Sequence, residues 1–208
     1  MSRSAAITRL APQQTKKERE VLSVASDYFL SHGYKGTSIN AMARDSGISK
    51  ESIYRYFSSK KELFEAVIAK ELAEYRKKLQ FLDYETASIA FDEALTRTAE
   101  TILGVVSNDR TLALRRLIFQ QVTQSPDIGQ YYYEIGPSEA YKNLEKIFAA
   151  HKNETTFDPK NLASAFVALV LHRIMLEREC GLRKPLSKSQ IRAHAEATVA
   201  DFLKAFFD

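Results

Sequence analysis

Three times the sequence sets a Ser or Thr three residues ahead of a Glu or Gln at the edge of an apolar run: Thr15–Glu18, Ser59–Glu62 and Ser187–Gln190. The hydroxyl can accept from the backbone N–H of the third residue while the carboxylate or amide reaches back, so the first turn satisfies its own orphan donors. Each pair predicts a helix start. Asp158-Pro159 predicts another, an N-cap followed by Pro at the first helical position. Ser49 predicts a fifth, with Ile48 and Ile53 spaced as a hydrophobic staple.

The apolar spacing agrees with these starts. Val21, Leu22, Ala25, Tyr28 and Phe29 repeat with helical period until Gly33 closes the run. Thr37 is positioned to cap a second helix, with Ile39, Met42 and Ala43 on one face and Gly47 at its end. Beyond Ser59 the chain predicts a long helix to about Leu82, then helices near 86–107, 109–124 and 127–151, the last bent at Gly136-Pro137. Two more run from Asp158 to about Cys180 and from Ser187 to the end. Residues 83–85 and 152–157 read as loops, and no strand pattern or internal repeat stands out. The expected fold class is all-α.

Charge divides the chain. Residues 1–60 hold ten Lys/Arg against five Asp/Glu, or +5, and the remainder holds twenty against twenty-one, or −1. A basic first third on a near-neutral body points to a polyanionic partner for the N-terminal part. The single Cys180 excludes an intramolecular disulfide and a Cys-based zinc site, and it fits a reducing, cytoplasmic setting. The first residues carry no apolar leader core, and the longest apolar stretch, Leu162 to Leu171, is too short to span a bilayer. No signal peptide and no membrane partner are expected.

The segment SGISKESIYRYFSSKKEL, Ser46 to Leu63, concentrates three aromatic rings behind a Gly turn. With the helix before it, it forms a helix-turn-helix pattern. At about 100° per residue Ile53 and Phe57 fall on one face and Arg55 opposite, with Tyr54 and Tyr56 on the flanks. Phe57 then anchors the core, and the tyrosines cover its edges and send their hydroxyls outward. A helix in a DNA major groove has a phosphate wall on either side. Tyr54, Tyr56 and helix starts at Thr37 and Ser49 suit those walls. Lys50, Glu51, Ser52 and Arg55 are left to meet base edges. A small helical subdomain without ligand would show the same periodicity, and the charge asymmetry speaks against it.

The stretch GYKGTSINAMARDSGISKESIYRYFSSKKELFEAVI resembles the N-terminal signature of the TetR/AcrR family of bacterial transcriptional regulators. The matching elements include Gly33-Tyr34, Thr37, Gly47, Ser49, Ile53-Tyr54, Tyr56-Phe57, Lys60 and Leu63-Phe64. The later run LRRLIFQQVTQSPDIGQYYYEIGP is similar to the ligand-domain core of the AefR-like branch. The resemblance implies a flexible basic arm over 1–14 and a three-helix DNA-binding head over 15–62. A long helix would join that head to a ligand-binding and dimerisation body over 63–208. It implies phosphate contacts from Thr37, Ser38, Tyr54, Tyr56 and Lys60, and places Lys50, Glu51 and Ser52 toward bases. Glu51 departs from the small residue common there. It can accept from cytosine N4 or pair with Lys50 or Arg55 along the helix.

The body shows no metal, hydrolase or phosphate-loop motif, and no cofactor is expected. Phe91, Leu95, Phe119, Gln121, Tyr132 and His172 are candidates to line an effector cavity, though ordinary packing explains most of them and His172 reads first as a satisfied core histidine. Phe166, Val170, Val199, Phe202 and Phe206 are candidates for a dimer interface, with closure of the chain's own bundle as the other use. The expectation is a homodimeric regulator, most often a repressor, on a pseudo-palindromic duplex operator, released by a small apolar ligand. A helical enzyme with an accessory DNA head and a protein-binding adaptor are the competing readings.

Overall fold

The computed structural model describes residues 15–85 and 89–207, without the side chains of 74, 75 and 78–85. The arm over 1–14 and the expected start at Thr86 lie outside the described residues. These contain ten α-helices and no strand. In order they are α1 Lys16–Gly36, α2 Ile39–Ser46, α3 Lys50–Tyr56, α4 Lys60–Glu85 and α5 Phe91–Val106, then α6 Asp109–Val122, α7 Pro126–Ile135, α8 Pro137–Ala150, α9 Pro159–Glu179 and α10 Lys188–Phe206.

The capping chemistry holds with two adjustments. Thr15 accepts from Glu18 N–H at 3.1 Å, Asp158 from Lys160 N–H at 2.9 Å, and Ser187 and Gln190 close a reciprocal box. At α4, Ser59 Oγ accepts from Glu62 N–H, but the Glu62 carboxylate accepts from Ser58, both its N–H at 2.7 Å and its hydroxyl at 2.6 Å. At α2 the cap is Ser38, one residue after Thr37, and its Oγ accepts from Ala41 N–H.

Two expected boundaries also move. Residues 83–85 continue α4, and 152–154 form a short 3-10 turn. Gly136-Pro137 breaks the chain into α7 and α8, since Pro cannot donate to a continuing ladder. Gly33 does end the regular part of α1, with φ of +74°, and Gly47 ends α2 at φ +70°.

The chain divides into two compact units. One comprises the described residues up to Ala73 together with Ala113–Tyr132. Its core takes Val21, Leu22 and Phe29 from α1, Met42 from α2, Ile53 from α3, and Leu63 and Phe64 from α4, each no more than 1 % exposed. Phe64 meets Phe29 at 4.9 Å and Tyr34 at 5.0 Å between ring centroids. Polar braces surround this core. Buried Ser26 donates to Glu71 of α4, and Lys61 of α4 pairs with Asp127 of α7.

The other unit comprises Glu74–Leu112 and Tyr133–Asp208. In it α10 packs chiefly on α5, and α9 on α8. Phe148, Phe166 and Phe202 meet edge-on or tilted, within 6.2 Å of one another, at the centre of its apolar cluster. Arg192 pairs with Glu93, Glu100 and Glu196.

The turn at Gly47 gives a direct check. An added Cβ would meet nothing within 4 Å there, so any cost of substitution comes from the positive φ alone. Gly47→Ala should cost about 1–2 kcal/mol and Gly47→Asn clearly less, because Asn tolerates the left-handed region. Urea denaturation followed by circular dichroism measures both.

Candidate nucleic-acid interface

Helix α3 has only seven residues, too few to be stable alone in water, so tertiary packing must hold it. Ser49 caps it by accepting from Ser52 N–H at 3.2 Å. Ile48, Ile53 and Phe57 are buried at 6, 1 and 3 % exposure. With that face fixed, Lys50, Glu51, Tyr54 and Arg55 are exposed, and Tyr56 is half-buried on the flank. The wheel therefore places Ile53, Phe57, Arg55 and the two tyrosines where the structure has them.

Several details differ from expectation. Ser52 is only 9 % exposed, and its hydroxyl accepts from Ser49 Oγ at 2.8 Å, so it belongs to the cap and not to the outer ridge. Tyr54 stands exposed on the flank of that ridge, with Lys50 Nζ 5.8 Å from its ring centre. Thr37 is 2 % exposed, and both its hydroxyl and its N–H donate to the Gly33 carbonyl. Neither group is left for a phosphate. Ser38, exposed at the start of α2, takes over that position. Glu51 forms no ion pair with Lys50 or Arg55 among the described residues, so the expected pairing along the helix is absent.

The flank residues are braced from behind. Lys60 Nζ sits 4.6 Å from the centre of the Tyr34 ring, and partial burial pulls its pKa below the usual lysine range. Tyr56 hydroxyl accepts from Thr15 Oγ1 at 3.3 Å, which ties the end of α3 to the start of α1. Tyr28 of α1 donates to Asp45 of α2 at 2.5 Å and stacks on His32 at 4.3 Å. That hydrogen bond, with Arg44 beside it, holds the Asp45 carboxyl below its ordinary range. The depressed carboxylate keeps the clamp whole at neutral pH, and it is lost only as acid protonates Asp45. The apolar periodicity includes Tyr28 and the signature includes Tyr34, but neither points to these contacts, and Asp45 carries no assignment in the sequence. An acid two residues before the turn glycine was the available signal.

The effector candidates fall in both units. Phe119, Gln121 and Tyr132 belong to the unit that holds the head, and Phe91, Leu95 and His172 to the other. Phe91 stacks on His151 at 3.9 Å, Leu95 lies within the apolar cluster, and His172 is exposed where a core histidine was expected. Phe119 is 48 % exposed, with Arg115 over its ring and Tyr132 at its edge.

The dimer candidates are likewise corrected. Phe166, Val170, Val199 and Phe202 are at most 3 % exposed and fill the chain's own core, and Phe206 packs on Phe157 and Phe202. Apolar stripes on paired helices bury each other first.

A buried apolar face that projects a cationic ridge from a short helix behind a glycine turn defines a helix-turn-helix DNA-binding protein. Residues 21–67 match the profile of the bacterial regulatory proteins of the tetR family. Residues 93–207 match the AefR-like transcriptional repressor C-terminal domain. The chain belongs to the TetR family of transcriptional regulators. It is 27% identical over 105 residues to the HTH-type transcriptional regulator YhgD of Bacillus subtilis (strain 168), and that match spans about half of each protein, 50% of this chain and 52% of YhgD. A protein from Mesorhizobium loti MAFF303099, described as a TetR-family transcriptional regulator, superposes with a TM-score of 0.80 at 27% identity, over 94% of this chain and all of that one. The flavonoid-responsive regulator FrrA superposes at 0.74 with 28% identity, over 92% of this chain and 97% of its own.

The expected division between positioning residues and reading residues can be checked by substitution. Tyr54→Phe and Lys60→Ala should weaken binding to a similar degree on every duplex, and Lys60→Ala should also lower the salt slope by about one contact. Lys50→Ala should change which bases are preferred. Equilibrium titrations of the three variants on matched and scrambled duplexes, at several salt concentrations, would show the split. Equal losses on all duplexes from all three would contradict it.

Proposed function

We propose that the chain is a repressor that binds a pseudo-palindromic duplex operator as a homodimer and lets go when a small apolar effector binds. The observation that carries this reading is the exposed set Lys50, Glu51, Tyr54 and Arg55 above buried Ile53 and Phe57. Lys50, Glu51 and Arg55 meet base edges. Ser38, Ser49, Tyr54, Tyr56 and Lys60 meet the phosphate walls. Residues 15–62 serve as the DNA-binding domain and 63–208 as the effector and dimerisation body.

Dimerisation uses faces of the last two helices that the chain leaves uncovered. On α9 these are Ala168, Leu169 and Leu176, the leucines 52 and 56 % exposed, and on α10 Ala197 and Ala200. Small residues let helices approach, and a two-fold axis makes each contact twice. The effector must bind the released state more tightly than the DNA-bound one, typically by about 1–3 kcal/mol for a graded response.

No catalytic role, cofactor or metal enters this reading, and the cytoplasm is its compartment. Among the described residues no helix is long and apolar enough to cross a membrane.

Selection of bound fragments from random duplex DNA tests it. The expected product is an inverted repeat whose half-sites lie about one helical turn apart, ~34–36 Å, or a comparable groove repeat. A direct single site, or no enrichment in low salt, would contradict it.

A further inference from the structure

A groove runs between the end of α9 and the start of α10. Its wider part, about 630 Å³, is walled by Glu177, Leu182, Arg183, Lys184 and Pro185. Its narrower part, about 330 Å³, is walled by Arg173, Ile174, Ala193 and His194. Arg183, Leu186 and Gln190 line both, so the two parts are continuous. None of the effector candidates lines it, and neither do Leu169, Leu176, Ala197 or Ala200 of the proposed dimer faces. The size is that of a small-molecule site.

The hydrogen bonds fix what the groove can offer. The Glu177 carboxylate accepts from Arg173 Nε at 2.9 Å and from Arg183 Nε, so two cations neutralise it. Gln190 Oε1 accepts from Ser187 N–H at 2.9 Å, which leaves the amide NH2 as donor. His194 Nε2 lies 3.1 Å from the Val170 carbonyl. A carbonyl only accepts, so Nε2 carries a proton. Lys184 is exposed and makes no ion pair among the described residues. Three cations thus stand against one acid that is already paired. The apolar part of the lining is Ile174, Leu186, Ala193 and Leu182, the last 81 % exposed.

We propose that this groove is a binding site for a small carboxylic acid with an apolar body. The carboxylate takes the donors of Lys184, Arg183 and Gln190, and the body covers Ile174, Leu186 and Ala193. Charge selects the anion, because the acid in the lining, Glu177, is already paired and Lys184 makes no ion pair among the described residues. An inorganic anion gains nothing from the apolar wall and would lose its own water beside it, so the wall favours an acid with an apolar body. This site goes beyond the repressor reading, and its test uses no DNA, so the two fail separately.

Calorimetric titration of the full chain with 2-naphthoate is the experiment, with neutral 2-naphthylmethanol as comparison. Saturable binding of one naphthoate per chain is expected at millimolar concentration or below, with the alcohol roughly tenfold weaker. Lys184→Glu, on an exposed side chain, should weaken naphthoate by roughly tenfold or more. Ala193→Phe should fill the groove and remove saturable binding. Circular dichroism checks that both variants fold, and if Ala193→Phe does not, Lys184→Glu decides alone. Wild-type affinity in the folded variants would place the ligand elsewhere and overturn the proposal. So would equal affinity for the alcohol, or no saturation at all. If naphthoate is ignored and light scattering shows that Ala193→Phe splits a dimer, the groove seats a second copy of the chain instead.

Discussion

Everything the head does depends on the burial of Ile53 and Phe57. A seven-residue helix cannot pay its own nucleation cost, and each fully buried side chain of this size contributes about 1.5–3 kcal/mol. Those two side chains hold α3 in place and fix its rotation. Once they point inward, Arg55 on the opposite side has only solvent to face, and Lys50, Glu51 and Tyr54 follow it. The recognition surface is the geometric complement of the core contact. A slip of one residue in that contact would turn the ridge by about 100° and point the apolar face at the phosphates.

Rotation alone does not fix the helix against its neighbours, and the polar braces complete the restraint. Tyr28 with Asp45 joins α1 to α2, Thr15 with Tyr56 joins α1 to α3, and Ser26 with Glu71 joins α1 to α4. All three involve side chains on or just before α1, which makes that helix the frame for the other three. Lys60 stacked on Tyr34 sets a cation at the edge of the frame. An ammonium held over a ring face is restrained in place and can still donate away from the ring, which suits a phosphate contact. Lys61, one residue on, pairs with Asp127, so a shift of α7 would be felt at the first turn of α4.

Local chemistry made much of this legible in the sequence. Caps, staples and turn glycines act over three to five residues, and the starts at Lys16, Lys50, Lys60, Pro159 and Lys188 follow from them. The rotation of α3 was legible because Ile53 and Phe57 repeat with helical period. What was not legible depended on neighbours distant in sequence. Thr37 has the right residue type for a cap, but its hydroxyl and N–H both go to Gly33, and Ser38 caps instead. Ser52 looks outward on a wheel, yet the cap hydroxyl of Ser49 draws it in. Phe166 and Phe202 lie on apolar stripes, and a stripe alone does not say whether its partner is the same chain or a second one. Their edge-to-face contact, 5.0 Å between centroids, shows that they close one bundle.

The most direct measurement of the central claim attaches a DNA-cleaving copper–phenanthroline group to the outer face of α3, through Glu51→Cys in a Cys180→Ser background. With the ridge seated in the major groove, cleavage on a bound duplex is expected in two compact clusters about one helical turn apart. Diffuse cleavage from position 51 on a duplex that the protein demonstrably binds would contradict the claim that this face of α3 enters the groove.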